Sequence, residues 1–157
     1  MEISVRMATV NDIEKLITTR FDYFEAEKWE VSSELHSVIE SNLQQYFTKH
    51  LNIDFFAALI EEKSQIVSLA FLAISEKPAN LSFPTGKIGT ILNVLTYPEY
   101  RKKGCATKAI CALIEEAKQQ NLSYIELSAS EAGKHLYHKL GFQVKLPHFT
   151  EMKLHLL

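Results

Sequence analysis

The sequence predicts an α/β (α+β) domain built on one mixed, mostly antiparallel sheet with helices on both faces. Three observations carry that expectation. Strand-like apolar runs occupy residues 53–60, 66–74 and 88–96, and a polar turn separates the first two. Apolar stripes at helical spacing precede and follow those runs. Over residues 88–127 a strand-like run, a short basic turn, a helical stripe and another strand-like run succeed one another, a crossover that makes the two strands parallel.

Each element has its own signal. Residues 2–6 alternate as a short strand, and Asn11 with Glu14 three later reads as a capping box. Ile13, Leu16, Ile17, Phe21 and Phe24 form the stripe of a first helix. Ser32 or Ser33 caps a second, whose stripe is Leu35, Val38, Ile39, Leu43 and Tyr46. The connector at 25–31 carries Trp29, which either lines a pocket or packs the connector down. Residues 53–60 and 66–74 make a hairpin around the polar turn 61–65, and Pro78, Pro84 and Gly86 mark residues 75–87 as a loop. The helix after the basic turn runs to about residue 121, with Ala106, Ile110, Leu113, Ile114 and Ala117 inward. Residues 124–127 form the parallel strand. Ser128 with Glu131 reads as the cap of a last helix ending near Leu140 and Gly141. Residues 142–144 and 149–156 are expected as terminal strands around Pro147.

Length and charge narrow the function. A chain of 157 residues suffices for one core and falls short of two ordinary domains. A hydrophobic content of 46% with 23% charged residues is that of a soluble globular protein, and no apolar run approaches spanning length, so no membrane partner is expected. The net charge of −2 argues against a nucleic-acid binder that neutralises phosphates. Cys105 and Cys111 share one predicted helix and face different ways, so they cannot pair; a reducing, cytoplasmic setting is the corresponding expectation. The start of the chain shows no basic segment leading into an apolar one.

The chemistry concentrates in Thr96-Tyr97-Pro98-Glu99-Tyr100-Arg101-Lys102-Lys103-Gly104-Cys105-Ala106-Thr107. A helix starting there leaves backbone N–H groups without partners at the positive end of its dipole. Arg101, Lys102 and Lys103 add charge, and Gly104 lets a ligand approach the backbone, so the turn suits a pyrophosphate. An ordinary strand-to-helix turn with solvated charges explains the same residues. The spacing excludes a P-loop, which needs a second glycine, and a dinucleotide fingerprint, which needs three.

Arg101-x-x-Gly104-x-Ala106 resembles the Gln/Arg-x-x-Gly-x-Gly/Ala signature of the GNAT superfamily of acetyl-CoA-dependent N-acetyltransferases. The flanking "NVLTYPEYRKKGCA" is similar to the family's strand-Pro-x-Tyr-Arg arrangement, and "HLYHKLGF" to its Leu-Tyr-x-x-x-Gly-Phe ending. The resemblance covers nearly the whole chain. It implies one N-acetyltransferase domain over 1–157, with a GNAT-like sheet whose parallel strand pair splays apart to admit the cofactor. It implies transfer of an acetyl group from acetyl-CoA to a primary amine of a small molecule or peptide, by direct attack through a tetrahedral intermediate. A non-catalytic acyl-CoA-binding regulatory module is the alternative. Dimerisation is compatible with such a fold.

Residue by residue, the resemblance implies that the amides of Lys102, Lys103, Gly104, Cys105, Ala106 and Thr107 hold the pyrophosphate beside Arg101. The edge of Val94, Leu95 and Thr96 pairs with the pantetheine arm, and an N–H near Leu95 or Thr96 polarises the thioester. Tyr137 matches the tyrosine that protonates the departing thiolate; its alternative is a packed helix tyrosine. Ser130 stands where many members carry a cofactor-contacting Asn, and Gly133 stands where Ala is usual. No general base stands out among Glu25, Glu27, Glu30, Glu99 and His148. His135 and His138 lie three apart with no third ligand, so no metal is expected.

Overall fold

The computed structural model describes residues 2–157 and divides into two compact units between Leu127 and Ser128. In the first, β1 (Ile3–Met7), α1 (Ile13–Ala26), α2 (Ser33–His50), β2 (Phe55–Glu62), β3 (Gln65–Glu76), β4 (Lys87–Thr96), α3 (Cys105–Gln119) and β5 (Ile125–Glu126) succeed one another in that order. The five strands lie side by side in chain order, antiparallel except for the parallel pair β4–β5. The mixed sheet with its crossover is the one the sequence predicts.

Strand alternation sends successive side chains to opposite faces, and each face has its own cover. On one, Ala57, Leu59, Leu69, Phe71 and Leu95 join Ile13 and Leu16 of α1 and Phe47 of α2 in a buried cluster. Phe47, Phe55 and Phe71 meet with centroids 5.1 to 5.9 Å apart, tying α2 to the hairpin. The other face is covered by α3, whose buried side chains are Cys105, Ala109, Ile110, Leu113 and Ala117. Fully buried Ile110 and Leu113 contribute about 2 kcal/mol each by leaving water.

The local capping signals hold in part. Ser32 does cap α2, its hydroxyl accepting the Leu35 N–H at 3.2 Å. At the first helix the capping box is Thr9–Asp12 around a 3-10 turn, not Asn11–Glu14. The reason is Arg6: its guanidinium grips both oxygens of Asp12 at 2.8 Å and Glu61 at 2.7 Å, fixing Asp12 where it can also accept the Thr9 N–H. The hairpin turn is only Lys63-Ser64, both with positive φ, because the strands run on into residues 61, 62 and 65. Trp29 packs on α1, stacked on Phe24 and edge-on to Tyr23.

The second unit holds α4 (Glu131–Lys139). Its N-cap is Ser130, whose hydroxyl accepts the Gly133 N–H at 3.1 Å, so the expected Ser128 cap lies two residues early. Gly141 comes just after the helix with φ 99°, as expected of a C′ glycine. The expected terminal strands at 142–144 and 149–156 are absent among the described residues. Met152, Leu154 and Leu156 alternate with polar residues as in a strand, but alternation supplies no hydrogen-bonding partner. Among the described residues no helix is long and apolar enough to cross a membrane.

Arg6 holds the Asp12 carboxyl down at about 2, chiefly through those two hydrogen bonds. A depressed carboxyl stabilises the fold above its unfolded pKa of about 3.9, and that contribution is lost as pH falls towards 2. Asp12→Asn is expected to cost about 2 kcal/mol near neutral pH and to flatten the acid limb of a denaturation series followed by circular dichroism. An unaltered acid limb would show the Arg6–Asp12 pair to be inert.

Candidate functional site

The site is assembled from β4 and the turn and helix that come after it. β4 stays paired with β3 along its length, but β5 meets it only at Gly89↔Ile125 and Thr90↔Glu126. Beyond Thr90 no strand pairs with that edge among the described residues, in keeping with the splayed pair that the family resemblance implies. The β3–β4 register slips between Leu69/Leu95 and Phe71/Leu92, leaving one extra residue in β4. Within that bulge Asn93 takes φ 54°, a left-handed conformation that Asn tolerates better than most residues.

The end of β4 has a definite orientation. The Tyr97 N–H donates to Val67 C=O at 3.0 Å, and Leu95 C=O accepts from Ser68 Oγ at 3.0 Å, so both residues face β3. Alternation then turns the backbone groups of Val94 and Thr96 to the open edge. Thr96 C=O accepts the Arg101 Nε–H at 3.1 Å, which tethers that side chain to the strand end. Leu95 therefore anchors the strand, while Val94 and the Thr96 N–H lie at its open edge.

A 3-10 turn at Pro98–Tyr100 leads into α3. Lys102 has φ 61° and Gly104, the N-cap, φ 77°. Left-handed residues alternating with ordinary ones point successive amides into one concavity. The first intrahelical bond runs from Lys108 N–H to Gly104 C=O at 3.1 Å, so helix geometry leaves the amides of Cys105, Ala106 and Thr107 without intrahelical acceptors. A Cβ built on Gly104 meets nothing within 4 Å, so a ligand has room there. Lys103 Nζ lies 5.5 Å from the centre of the Tyr100 ring. Cys105 is 2% exposed, its side chain a packing element of the sheet face. These features fit a diphosphate. No group of three or more His, Cys, Asp or Glu side chains able to hold a metal ion occurs among the described residues.

On α4, the Tyr137 ring meets Phe142 edge-on at 5.9 Å. A Cβ on Gly133 would come within 3.2 Å of Tyr137 Cε2 and 3.3 Å of Ser130 Oγ, so the missing methyl is what gives ring and cap their room. The five candidates for general base, Glu25, Glu27, Glu30, Glu99 and His148, are all exposed.

Two pairings escape a reading of the sequence. The Arg20 guanidinium donates from Nη1 to Asn93 Oδ1 at 3.2 Å and lies 4.9 Å over the Phe24 ring. Tyr97 O–H donates to Asp22 Oδ2 at 2.6 Å, and burial with that carboxylate beside it raises the phenol's pKa. Arg20 had a signal: it lies four residues from both Leu16 and Phe24, on the apolar stripe itself. An open cleft of about 500 Å³ adjoins Tyr97, lined also by Lys15, Thr19, Gln65 and Tyr100.

A bulged strand with one open edge, running into the N-terminus of a helix, defines an α/β protein with groups suited to a diphosphate. The chain belongs to the acetyltransferase (GNAT) family, whose model matches residues 13–142. Among solved structures it is similar to a predicted acetyltransferase with acetyl-CoA from Clostridium acetobutylicum, at 31% identity and TM-score 0.85, over 97% of this chain and 96% of that one. In fold it is also similar to a GCN5-related N-acetyltransferase from Ralstonia eutropha (19% identity, TM-score 0.78, 96% and 99% covered). The glucosamine-6-phosphate N-acetyltransferase from Arabidopsis thaliana shares that fold too (20%, TM-score 0.70, 97% and 99% covered). No curated protein sequence matches the chain.

Gly104→Ala is expected to cost about 1 kcal/mol in chemical denaturation, from its left-handed backbone alone. A loss several times larger would mean that the added methyl is obstructed within the chain.

Proposed function

We propose that the protein acts as a single N-acetyltransferase domain, moving an acetyl group from acetyl-CoA to a primary amine of a small molecule or peptide. The observation that carries this reading is the free edge of β4 continuing into the unpaired amides of α3. Acetyl-CoA supplies the activated thioester. The amides of Lys102, Lys103, Gly104, Cys105, Ala106 and Thr107 bind its diphosphate, with Arg101, Lys102 and Lys103 supplying charge. Val94 and Thr96 pair with the pantetheine arm as an added strand would, and Leu95 keeps the strand on β3.

The amine attacks the thioester carbonyl directly, and negative charge develops on its oxygen. A Val94 or Thr96 N–H donates to that oxygen, an interaction worth roughly 3 kcal/mol where comparable donors have been removed. Tyr137 gives its proton to the departing thiolate. A phenol of reference pKa about 10 is protonated at neutral pH, and a thiolate of about 8.5 is a modest base beside it, so hydrogen-bond reach decides the transfer. Ser130 Oγ accepts its cap bond and retains a proton to donate to the cofactor. The attacking amine, of reference pKa about 10, must first shed a proton. Asp22, held by Tyr97 at the end of β4, is better enclosed than any of the five exposed candidates for taking it.

Free-thiol release from acetyl-CoA with a panel of primary amines tests the reaction. Tyr137→Phe is expected to lower turnover about 100-fold while calorimetric affinity for acetyl-CoA stays within about twofold. Turnover equal to that of the unsubstituted protein would remove Tyr137 from the reaction, and release with no amine would remove the reaction itself.

A further inference from the structure

A guanidinium packed against a protein core calls for an anion or for acceptors, and among the described residues Arg20 has one hydrogen bond and no ion pair. It sits half-buried on the inner stripe of α1, stacked on Phe24, with one hydrogen bond, from Nη1 to Asn93 Oδ1. None of the ion pairs among the described residues includes it. Asp22, two residues on, faces elsewhere and is engaged by Tyr97. Burial lowers the Arg20 pKa, with no carboxylate to offset that cost, yet guanidinium stays charged in proteins.

Asn93 supplies the second half. It is 3% exposed, and its Nδ2 is buried with no hydrogen-bond partner. The amide orientation is set by Arg20: a donor faces it, so the oxygen must be there and the NH₂ must point away. A buried donor left unsatisfied costs about 1–3 kcal/mol, so such a group calls for an explanation. On neighbouring elements, Asn93 Nδ2 thus lacks an acceptor and Arg20 has a single one, Asn93 Oδ1. They adjoin the bulge of β4, one residue before Val94.

We infer that Arg20, positioned by Asn93 and Phe24, forms a recognition site for an oxyanion, a carboxylate or phosphate carried by the acceptor amine. The inference rests on the acetyltransferase reading for its occupant and restricts the acceptor to amines that bear an anionic group. The planar guanidinium donors left over by Asn93 suit the oxygens of either anion, and Asn93 Oδ1 and the flat Phe24 ring hold the guanidinium in place. In Asn93→Asp the new carboxylate would pair with Arg20 internally and close the site, and Asp tolerates the left-handed backbone there.

The test separates anion binding from acetyl transfer. Acetate and inorganic phosphate are titrated in turn into ¹⁵N-labelled full-length protein, following the side-chain signals of Asn93 and Arg20. Saturable shifts are expected with at least one anion, and whichever binds identifies the carboxylate or the phosphate. The response should disappear in Arg20→Gln. In Asn93→Asp the Arg20 signal should no longer move, and that variant must retain its calorimetric affinity for coenzyme A. In thiol release, glycine should then exceed glycinamide, or phosphoethanolamine exceed ethanolamine, by about tenfold or more in kcat/KM. No saturable shift with either anion, or shifts that persist in both variants, would overturn the inference. Shifts as expected without coenzyme A affinity would leave the anion site standing and bring down the acetyltransferase reading instead.

Discussion

β4 has to be held firmly on one edge and left open on the other. Its β3 edge carries a ladder interrupted only at the bulge, reinforced where Ser68 Oγ donates to Leu95 C=O and shares a hydrogen bond of 2.8 Å with Thr96 Oγ1. Its far edge loses β5 after two residues. An open strand edge is ordinarily a hazard, because unpaired amides and carbonyls seek another strand. Here it stops after a few residues, at the 3-10 turn, where the chain redirects its amides into the start of α3. The bulge at Asn93 adds local twist to the same strand and brings a polar side chain against α1. The same residues in an even ladder, without the bulge, would reverse the facing of Val94 to Thr96, so fold and site share one constraint.

Much of this was legible in the residues. The crossover from 88 to 127 required a parallel pair, and the strand-like runs at 53–60 and 66–74 required a hairpin; both are present. Gly104 ahead of an apolar helical stripe marked the helix start, and the structure adds that its φ is positive and its Cβ position open. These features were readable because they depend on local conformation, which residue type controls directly.

The features that were not legible depend on tertiary partners. The capping box moved to Thr9–Asp12 because Arg6 on β1 and Glu61 on β2 converge there, and no window of sequence contains all three. Arg20 and Asn93 are 73 residues apart, so neither the guanidinium on an apolar stripe nor the Asn inside a strand explains itself alone. The hairpin turn at Lys63-Ser64 contains no glycine, and the two-residue loop length, not composition, sets its left-handed backbone. The strand expected at 149–156 is absent because no neighbouring strand supplies its hydrogen bonds among the described residues.

On the proposed reading, backbone amides rather than side-chain charges are the groups that hold the ligand. Amide ¹H–¹⁵N spectra recorded with and without coenzyme A report on those groups one by one. The expected result is large downfield proton shifts at Cys105, Ala106 and Thr107, together with changes at Val94 and Thr96, and little change at Leu95. Unmoved amides at 105–107 under saturating coenzyme A would contradict that reading, whatever happens to the lysines.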